Sequence, residues 1–349
     1  MVALCSLLLL FMVVQLLKLG EVTFGAGLSA ADLSWIALSF LPMFAVWILP
    51  VSVLAGILMG FARMVEDGEL VALAAAGCSR LRLATMPLLL GGMASILALI
   101  LSAWLAPSAA DGLHHSLVRL AKQHVVASLQ AGRFFEEIPK VVIYPRASDG
   151  PAGHFRGLMI DDRRPGKPKR LLLAKHAEVM PDAGGQGLVL RLSDGEVHVR
   201  AKRGQYTHLR FARAEMGLNI ERLIHDRTRS LPALDRLNLQ QLALRASEAS
   251  GETGRRLASA WHRRIAFPMA SIVFAWLALF LGLSGRLQTR RGTLLVSVAV
   301  VLSYYLLMRL GDGLVKPGWI SPCIAAWLPN GLLLGLLALA GLWGKRGRA

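Results

Sequence analysis

The chain has 349 residues, 54% of them hydrophobic and 17% charged, with a mean hydropathy of +0.51, which is more apolar than a soluble domain of this size can hide, so a membrane protein is expected. Lys and Arg number 39 against 22 Asp and Glu, a formal net charge of +17 that suits an anionic lipid, an anionic substrate or nucleic acid, depending on where the charge lies. Cys5, Cys78 and Cys323 stand far apart, which excludes a disulfide framework and a cysteine-based zinc site.

A helix needs about 20 apolar residues to cross about 30 Å of hydrocarbon. Six runs qualify, in two groups of three: residues 1–17, 36–62 and 83–105, then 265–283, 294–310 and 324–343. The first could be a secretory signal peptide, with the small residues at 26–30 as a cleavage site. It carries no Lys or Arg before Lys18, however, whereas a signal peptide wants a positive n-region, so it is read as a span. It is short for that role, and a leading stretch is expected to precede it.

The loop at 63–82 is the most informative segment. Leu70, Leu73 and Ala74 recur at helical spacing, and Asp67 or Glu69 suits a helix N-terminus. Gly77 suits the left-handed position that ends a helix, with Arg80 and Arg82 following as interfacial anchors. This predicts a short helix on the membrane surface, either an ordinary connector or a docking element for a separate ATPase subunit. Orientation follows from the short loops, because Lys and Arg accumulate on the cytoplasmic side. Arg63, Arg80 and Arg82, then Arg286, Arg290 and Arg291, then Lys345, Arg346 and Arg348 fall on one side, against Lys18 and Lys316 on the other. Both termini are therefore expected in the cytoplasm and the middle of the chain across the membrane.

That middle part, residues 107–264, holds 27 of the 39 basic and 16 of the 22 acidic residues and reads as one extramembrane domain. Strands are predicted at 141–146, 155–160, 170–179, 188–193 and 196–201, with one or two more within 206–220. Asp194-Gly195 is the best candidate for a tight hairpin. Short strands separated by turn signals favour a sandwich or jellyroll, and residues 232–250 look helical.

No GxSxG, HExxH or GxxxxGK[ST] pattern is present, so no catalytic residues, no cofactor and no self-contained ATPase are expected. All nine His lie within 107–264. The only adjacent pair, His114-His115, would point about 100° apart on a helix, so no metal site is expected and the imidazoles read as solvated surface. Acidic residues are absent from most spans, which removes a proton relay, and the driving energy must come from elsewhere. Arg309 and Asp312, spaced i and i+3, read as an ion pair ahead of a substrate site.

The order of three spans, a β domain and three spans resembles the lipopolysaccharide-export permeases of the LptF/LptG (YjgP/YjgQ) family. The stretches that carry the likeness are Ile48 to Leu58, Asp67 to Gly77, Trp104-Leu-Ala-Pro107 and Trp261-His-Arg-Arg-Ile-Ala266, and it covers nearly the whole chain. Members of this family usually carry an amphipathic stretch before the first span, which is expected ahead of residues 1–17 here. The resemblance implies an α-helical membrane protein with six transmembrane helices (3+3) and an inserted all-β (jellyroll-like) periplasmic domain. Residues 1–106 would hold spans one to three with a coupling helix at 66–77, residues 107–264 the β domain, and residues 265–349 spans four to six with a basic tail.

By this likeness the chain is a non-catalytic ABC-transporter permease of the inner membrane that passes lipopolysaccharide to a periplasmic jellyroll bridge. Its implied partners are a cytoplasmic ABC ATPase dimer, a second related permease subunit and a membrane-anchored periplasmic jellyroll accessory protein; nucleic acid is not among them. Glu69 falls where the family has its coupling glutamate and Gly77 where the helix ends. Glu66, Asp67, Leu70, Leu73 and Arg80 complete the expected ATPase-coupling set, and Lys18 and Arg309 are the cations expected near lipopolysaccharide phosphates. Trp327-Leu-Pro-Asn330 leans toward the F-like subunit. Two other readings stay open: a lipoprotein-sorting or mechanotransmission permease, which commonly has four spans, and a membrane-anchored binding or assembly protein without transport.

Overall fold

The computed structural model describes residues 30–136, 138, 140–150, 153–164, 168–182, 188–200, 206–218, 233–284 and 290–346. The first expected span, at 1–17, and Lys18 lie outside them. The chain folds as two compact units. One contains Ala31–Gly112 and Leu231–Ala349, the other Leu113–Ser230.

Among the described residues, five helices of the first unit are long and apolar enough to cross a membrane. They are α1 (Ala30–Glu66), α3 (Arg80–Ile100), α7 (Gly251–Leu283), α8 (Arg290–Val315) and α9 (Pro322–Arg346), and the short α2 (Glu69–Ala75) joins the first two. The helix begun by α3 does not stop at Pro107 as the composition suggests. A π-helical turn at Leu101–Leu105 leads directly into α4 (Ala106–Ser128). Likewise α7 begins well before the apolar run at 265, because a change to polar side chains does not by itself end a helix whose backbone is internally bonded. Two short helices, α5 (Ala233–Arg236) and α6 (Leu239–Glu248), precede it, separated at Asn238, whose side chain and that of Gln241 form a reciprocal capping box.

The centre of this unit is α7, on which Ala266, Ala270, Ser271, Ala275, Ala278 and Gly282 are buried. In hydrocarbon, apolar side chains gain nothing by leaving lipid, so helices associate where small residues let backbones approach. Accordingly α3 turns Ala84, Gly91, Ala94, Ser95 and Ala98 inward. A Cβ added to Gly91 would stand 2.4 Å from that of Ala275. Phe61 of α1 lies over Gly282 in the same way. Aromatic contacts join α1, α7 and α8, with ring centroids 4.3 Å apart for Trp47 and Phe267, 5.5 Å for Trp47 and Tyr305 and 5.2 Å for Phe274 and Tyr304. From α9, the buried Asn330 donates Nδ2–H to the Ala266 carbonyl at 2.7 Å. The exposed faces are apolar too, including Met93, Ile96 and Trp104 before α4 and Leu295, Leu302 and Leu306 on α8, as lipid contact requires.

The second unit is a five-stranded antiparallel meander in the order β1 (Val141–Ser148), β2 (His154–Asp162), β3 (Lys169–Pro181), β4 (Leu188–Arg200) and β5 (Tyr206–Leu218). Its core combines Val118, Val125 and Leu129 with inward residues such as Ile143, Ile160, Leu172, Leu190 and Leu192. The Asp194-Gly195 hairpin expected from sequence is not formed. Asp194 sits in the middle of one continuous strand, with φ 52°. Pairing with both neighbours continues on either side, Ser193 with His176 and Arg213, Gly195 with Ala174 and Phe211, and no residue is inserted.

At this row each long strand changes which residues face inward. Leu188, Leu190 and Leu192 point to the core before it, and Gly195 and Val197 after it. Leu172 and Ala174 give way to Ala177 in β3, and Phe155 to Leu158 in β2, where Gly157 has φ 71°. A row of kinks therefore crosses the sheet. The break in alternation that resembles a turn in one strand is this shared inversion, visible only when the strands are paired.

Candidate functional site

The expected coupling segment folds as a short helix between α1 and α3. Asp67 and Gly68 form the turn, with Arg63 Nε 3.3 Å from Asp67 Oδ2 and Gly68 at φ 71° in the N-cap position. At the other end the Cys78 N–H bonds the Leu73 carbonyl at 3.0 Å and the Gly77 N–H that of Ala74 at 3.1 Å. With Gly77 at φ 74°, this is a Schellman motif, and it satisfies carbonyls that the last turn would otherwise leave open. Ser79 then starts α3 by accepting from the Arg82 N–H at 3.3 Å. The helix is shorter than 66–77: Glu66 is the last residue of α1, and only Glu69–Ala75 is helical.

Its two faces differ. Leu70 is half-buried and packs against the core of the helical unit, and Leu73 is half-buried as well. Glu69, Val71, Ala72, Ala74 and Ala75 are exposed, Val71 at 75%. Glu69 has no hydrogen bond or ion pair among the described residues. The segment thus presents a carboxylate and a small apolar patch, held by a loop whose ends are fixed.

The cations fall out differently from expectation. Arg309 and Asp312 do not pair. Asp312 Oδ2 instead accepts from Arg263 Nη1 at 2.7 Å and its Oδ1 from Ser259 Oγ at 3.3 Å, which links α8 to α7, while Arg309 is exposed. Residues three apart on one helix can pair, but a guanidinium packed from a neighbouring helix supplies a better-placed donor. Two other arginines near the start of α7 hold helix ends. Arg255 donates to the carbonyls of Val315 and Lys316 at 3.2 and 2.9 Å, and Arg264 to those of Leu234 and Asp235, both at 3.0 Å, and of Leu237. The Trp261 to Ala266 stretch is therefore structural in its arginines. Burial pushes the nearby Asp235 carboxyl up, against the pull of Arg263 and Arg264.

In the sheet unit, two clusters stand out. Asp162 is fully buried at its side chain, with Arg164 Nη2 and Arg170 Nη2 each 2.8 Å from its Oδ2. Burial alone would raise this carboxyl, but the hydrogen bonds from Arg164 and Arg170 prevail and hold it well below the usual carboxylate range. Sequence reasoning that weighs only the adjacent pair His114-His115 misses the second cluster, on β4 and β5. There Glu196, His198 and His208 bring one ligand atom each within 4.8 Å of the others. The available signal is Glu-x-His, which puts both side chains on one face of a strand, followed by a further His on the next strand.

Five apolar helices, a fixed and exposed short helix between the first two, and a β unit inserted between the second and third define a multi-pass membrane protein with an inserted β domain. No curated protein matches the chain closely enough to serve as a relative. The chain belongs to the lipopolysaccharide export system permease LptF/LptG family, whose family model matches residues 1–343. Membership of a permease family accords with a transport subunit that breaks no bond.

Proposed function

We propose that this chain is one of two related permease subunits of an ABC transporter that extracts lipopolysaccharide from the inner membrane and passes it to a periplasmic jellyroll bridge. In this reading a cytoplasmic ATPase dimer docks on the loop around α2. Glu66, Asp67, Glu69, Leu70, Leu73, Gly77 and Arg80 form the docking segment, and movement of the ATPase is transmitted to α1 and α3. The β domain, taken as residues 107–264, lies in the periplasm and both termini in the cytoplasm, between spans grouped in 1–106 and 265–349. A membrane-anchored jellyroll accessory protein receives the glycolipid from it. Lys18 and Arg309 meet lipid phosphates near the periplasmic rim of an apolar cavity, whose wall suits acyl chains.

The single observation that carries this reading is the geometry of α2: an exposed Glu69 and Val71 on a helix pinned by the Schellman turn at Gly77 and packed on the bundle through Leu70. A contact made there is mechanically tied to α1 and α3, which end and begin within a few residues of it. The orientation is supported by Arg63, Arg80 and Arg82 in the same loop. The test replaces Glu69 by Ala and by Lys. An interfacial charge contact of this kind costs about 2–5 kcal/mol when truncated if it is buried. Both variants should insert normally yet co-purify less ATPase and deliver less lipopolysaccharide, Lys more severely than Ala. Unchanged co-purification and delivery in both would overturn the docking assignment.

A further inference from the structure

The outer face of the last strand pair carries a side-chain cluster that the transport reading does not use. Glu196 and His198 alternate on β4, and His198 pairs directly with His208 on β5. His208 Nε2 is 2.9 Å from Glu196 Oε2, and His198 Nε2 is 3.7 Å from the same oxygen. The two imidazoles stack with centroids 4.7 Å apart and ring planes 18° from parallel. All three side chains are partly open to solvent, from 21% for His198 to 39% for His208. An ion could therefore reach them without any opening of the fold.

We propose that Glu196, His198 and His208 form a zinc site that ties the start of β5 to β4. Zinc takes imidazole nitrogen and carboxylate oxygen at about 2.0–2.2 Å with tetrahedral angles, which sets neighbouring ligand atoms about 3.3–3.5 Å apart. The two distances to Glu196 Oε2 bracket that value, so small side-chain rotations bring the set into place. Two imidazoles and one carboxylate are a recurrent zinc set, leaving the fourth position to water.

The surrounding groups are those that orient such ligands. The Tyr206 hydroxyl is hydrogen-bonded to His198 Nδ1. With the proton on Nδ1 donated to Tyr206, Nε2 keeps its lone pair for the ion. Arg210 Nε lies 3.2 Å from Glu196 Oε1, so it holds the carboxylate by one oxygen and leaves the other to the metal.

The test uses the full chain without a polyhistidine tag, in detergent, with zinc binding followed by competition against a chromophoric chelator. The parent should retain one equivalent of zinc, with K-edge spectroscopy showing two imidazole nitrogens among its ligands. His198→Ala and His208→Ala should lose that equivalent, Glu196→Gln should weaken binding at least tenfold, and Tyr206→Phe should weaken it about tenfold through the lost second partner. His154→Ala/His176→Ala, removing two other exposed imidazoles of the sheet, should bind like the parent. Backbone amide exchange across 206–211 should slow when zinc is added to the parent and not when it is added to His208→Ala. Absence of a retained zinc in the parent, or equal retention in His198→Ala and His208→Ala, overturns the site.

Discussion

The hydroxyl of Ser102 donates to the carbonyl of Arg264 at 3.1 Å. That carbonyl would bond residue 268 in an unbroken helix, but Pro268 has no N–H to give. The π-helical turn at Leu101–Leu105 places Ser102 against α7 at the level where the defect falls. A proline in one helix is thus satisfied by a serine from another, with no water needed. Ser102→Ala should lower unfolding stability in detergent by about 0.6 kcal/mol, the average for single hydrogen bonds between membrane helices, and by no more than about 1.7 kcal/mol. Ser102→Thr, which keeps the hydroxyl, should lose less. Equal stability of Ser102→Ala and the parent in a denaturant titration would refute the role.

Close packing of α3 on α7 gives a contrast between adjacent glycines. A methyl at Gly91 would collide with the Ala275 Cβ and approach the Ser271 carbonyl to 3.2 Å, whereas at Gly92 it meets nothing within 4 Å. Overpacking of this kind costs about 1–3 kcal/mol. Gly91→Ala should therefore reduce the yield of folded protein and its unfolding midpoint, and Gly92→Ala should leave both as they are. Thermal unfolding monitored by size-exclusion profile separates the two.

Asp162 should make the β unit sensitive to acid. Its folded carboxyl titrates below its unfolded value of 3.8, so its contribution to stability is complete above that value. The contribution is lost progressively as pH falls through the folded pKa. Asp162→Asn should remove this acid-sensitive component and leave Arg164 and Arg170 half-buried without a counter-charge. The cost is about 3 kcal/mol, the lower end of the range for breaking a buried pair, because both arginines keep some solvent contact. Denaturation followed between pH 2 and 7 checks both the size and the slope.

The exchange of partners at Asp312 separates two arginines that look alike in the sequence. Asp312→Asn should loosen α7 from α8, because Arg263 loses its acceptor, and Arg263→Gln should do the same. Arg309→Gln should leave stability unchanged, since its side chain is exposed and Asp312 is already bound. Any loss of lipopolysaccharide crosslinking in Arg309→Gln then reports on substrate contact and not on folding. Photocrosslinking at position 309 in cells, with unfolding of the purified variants, reads the two effects separately.

Much of this architecture is legible in one dimension because it follows from local chemistry. About twenty apolar residues in a row mark a span wherever they occur. Gly77 marks a helix end because a residue with a Cβ is strained in a left-handed backbone, and the short β segments are marked by branched residues between turns. The family resemblance adds the order of these parts. What the sequence could not show is which residues meet. Asp312 takes Arg263 and not Arg309 because α7 and α8 pack together, and Ser102 serves a proline 166 positions away for the same reason. Asp194-Gly195 carries the strongest local hairpin signal in the chain, yet the sheet, whose inward face changes along one row through β2, β3 and β4, keeps β4 running through it. Glu196, His198 and His208 are three scattered polar residues until β4 and β5 pair. Spans and caps are decided within a few residues of chain; ion pairs, kinks and ligand clusters are decided by the neighbours that burial and backbone pairing bring alongside.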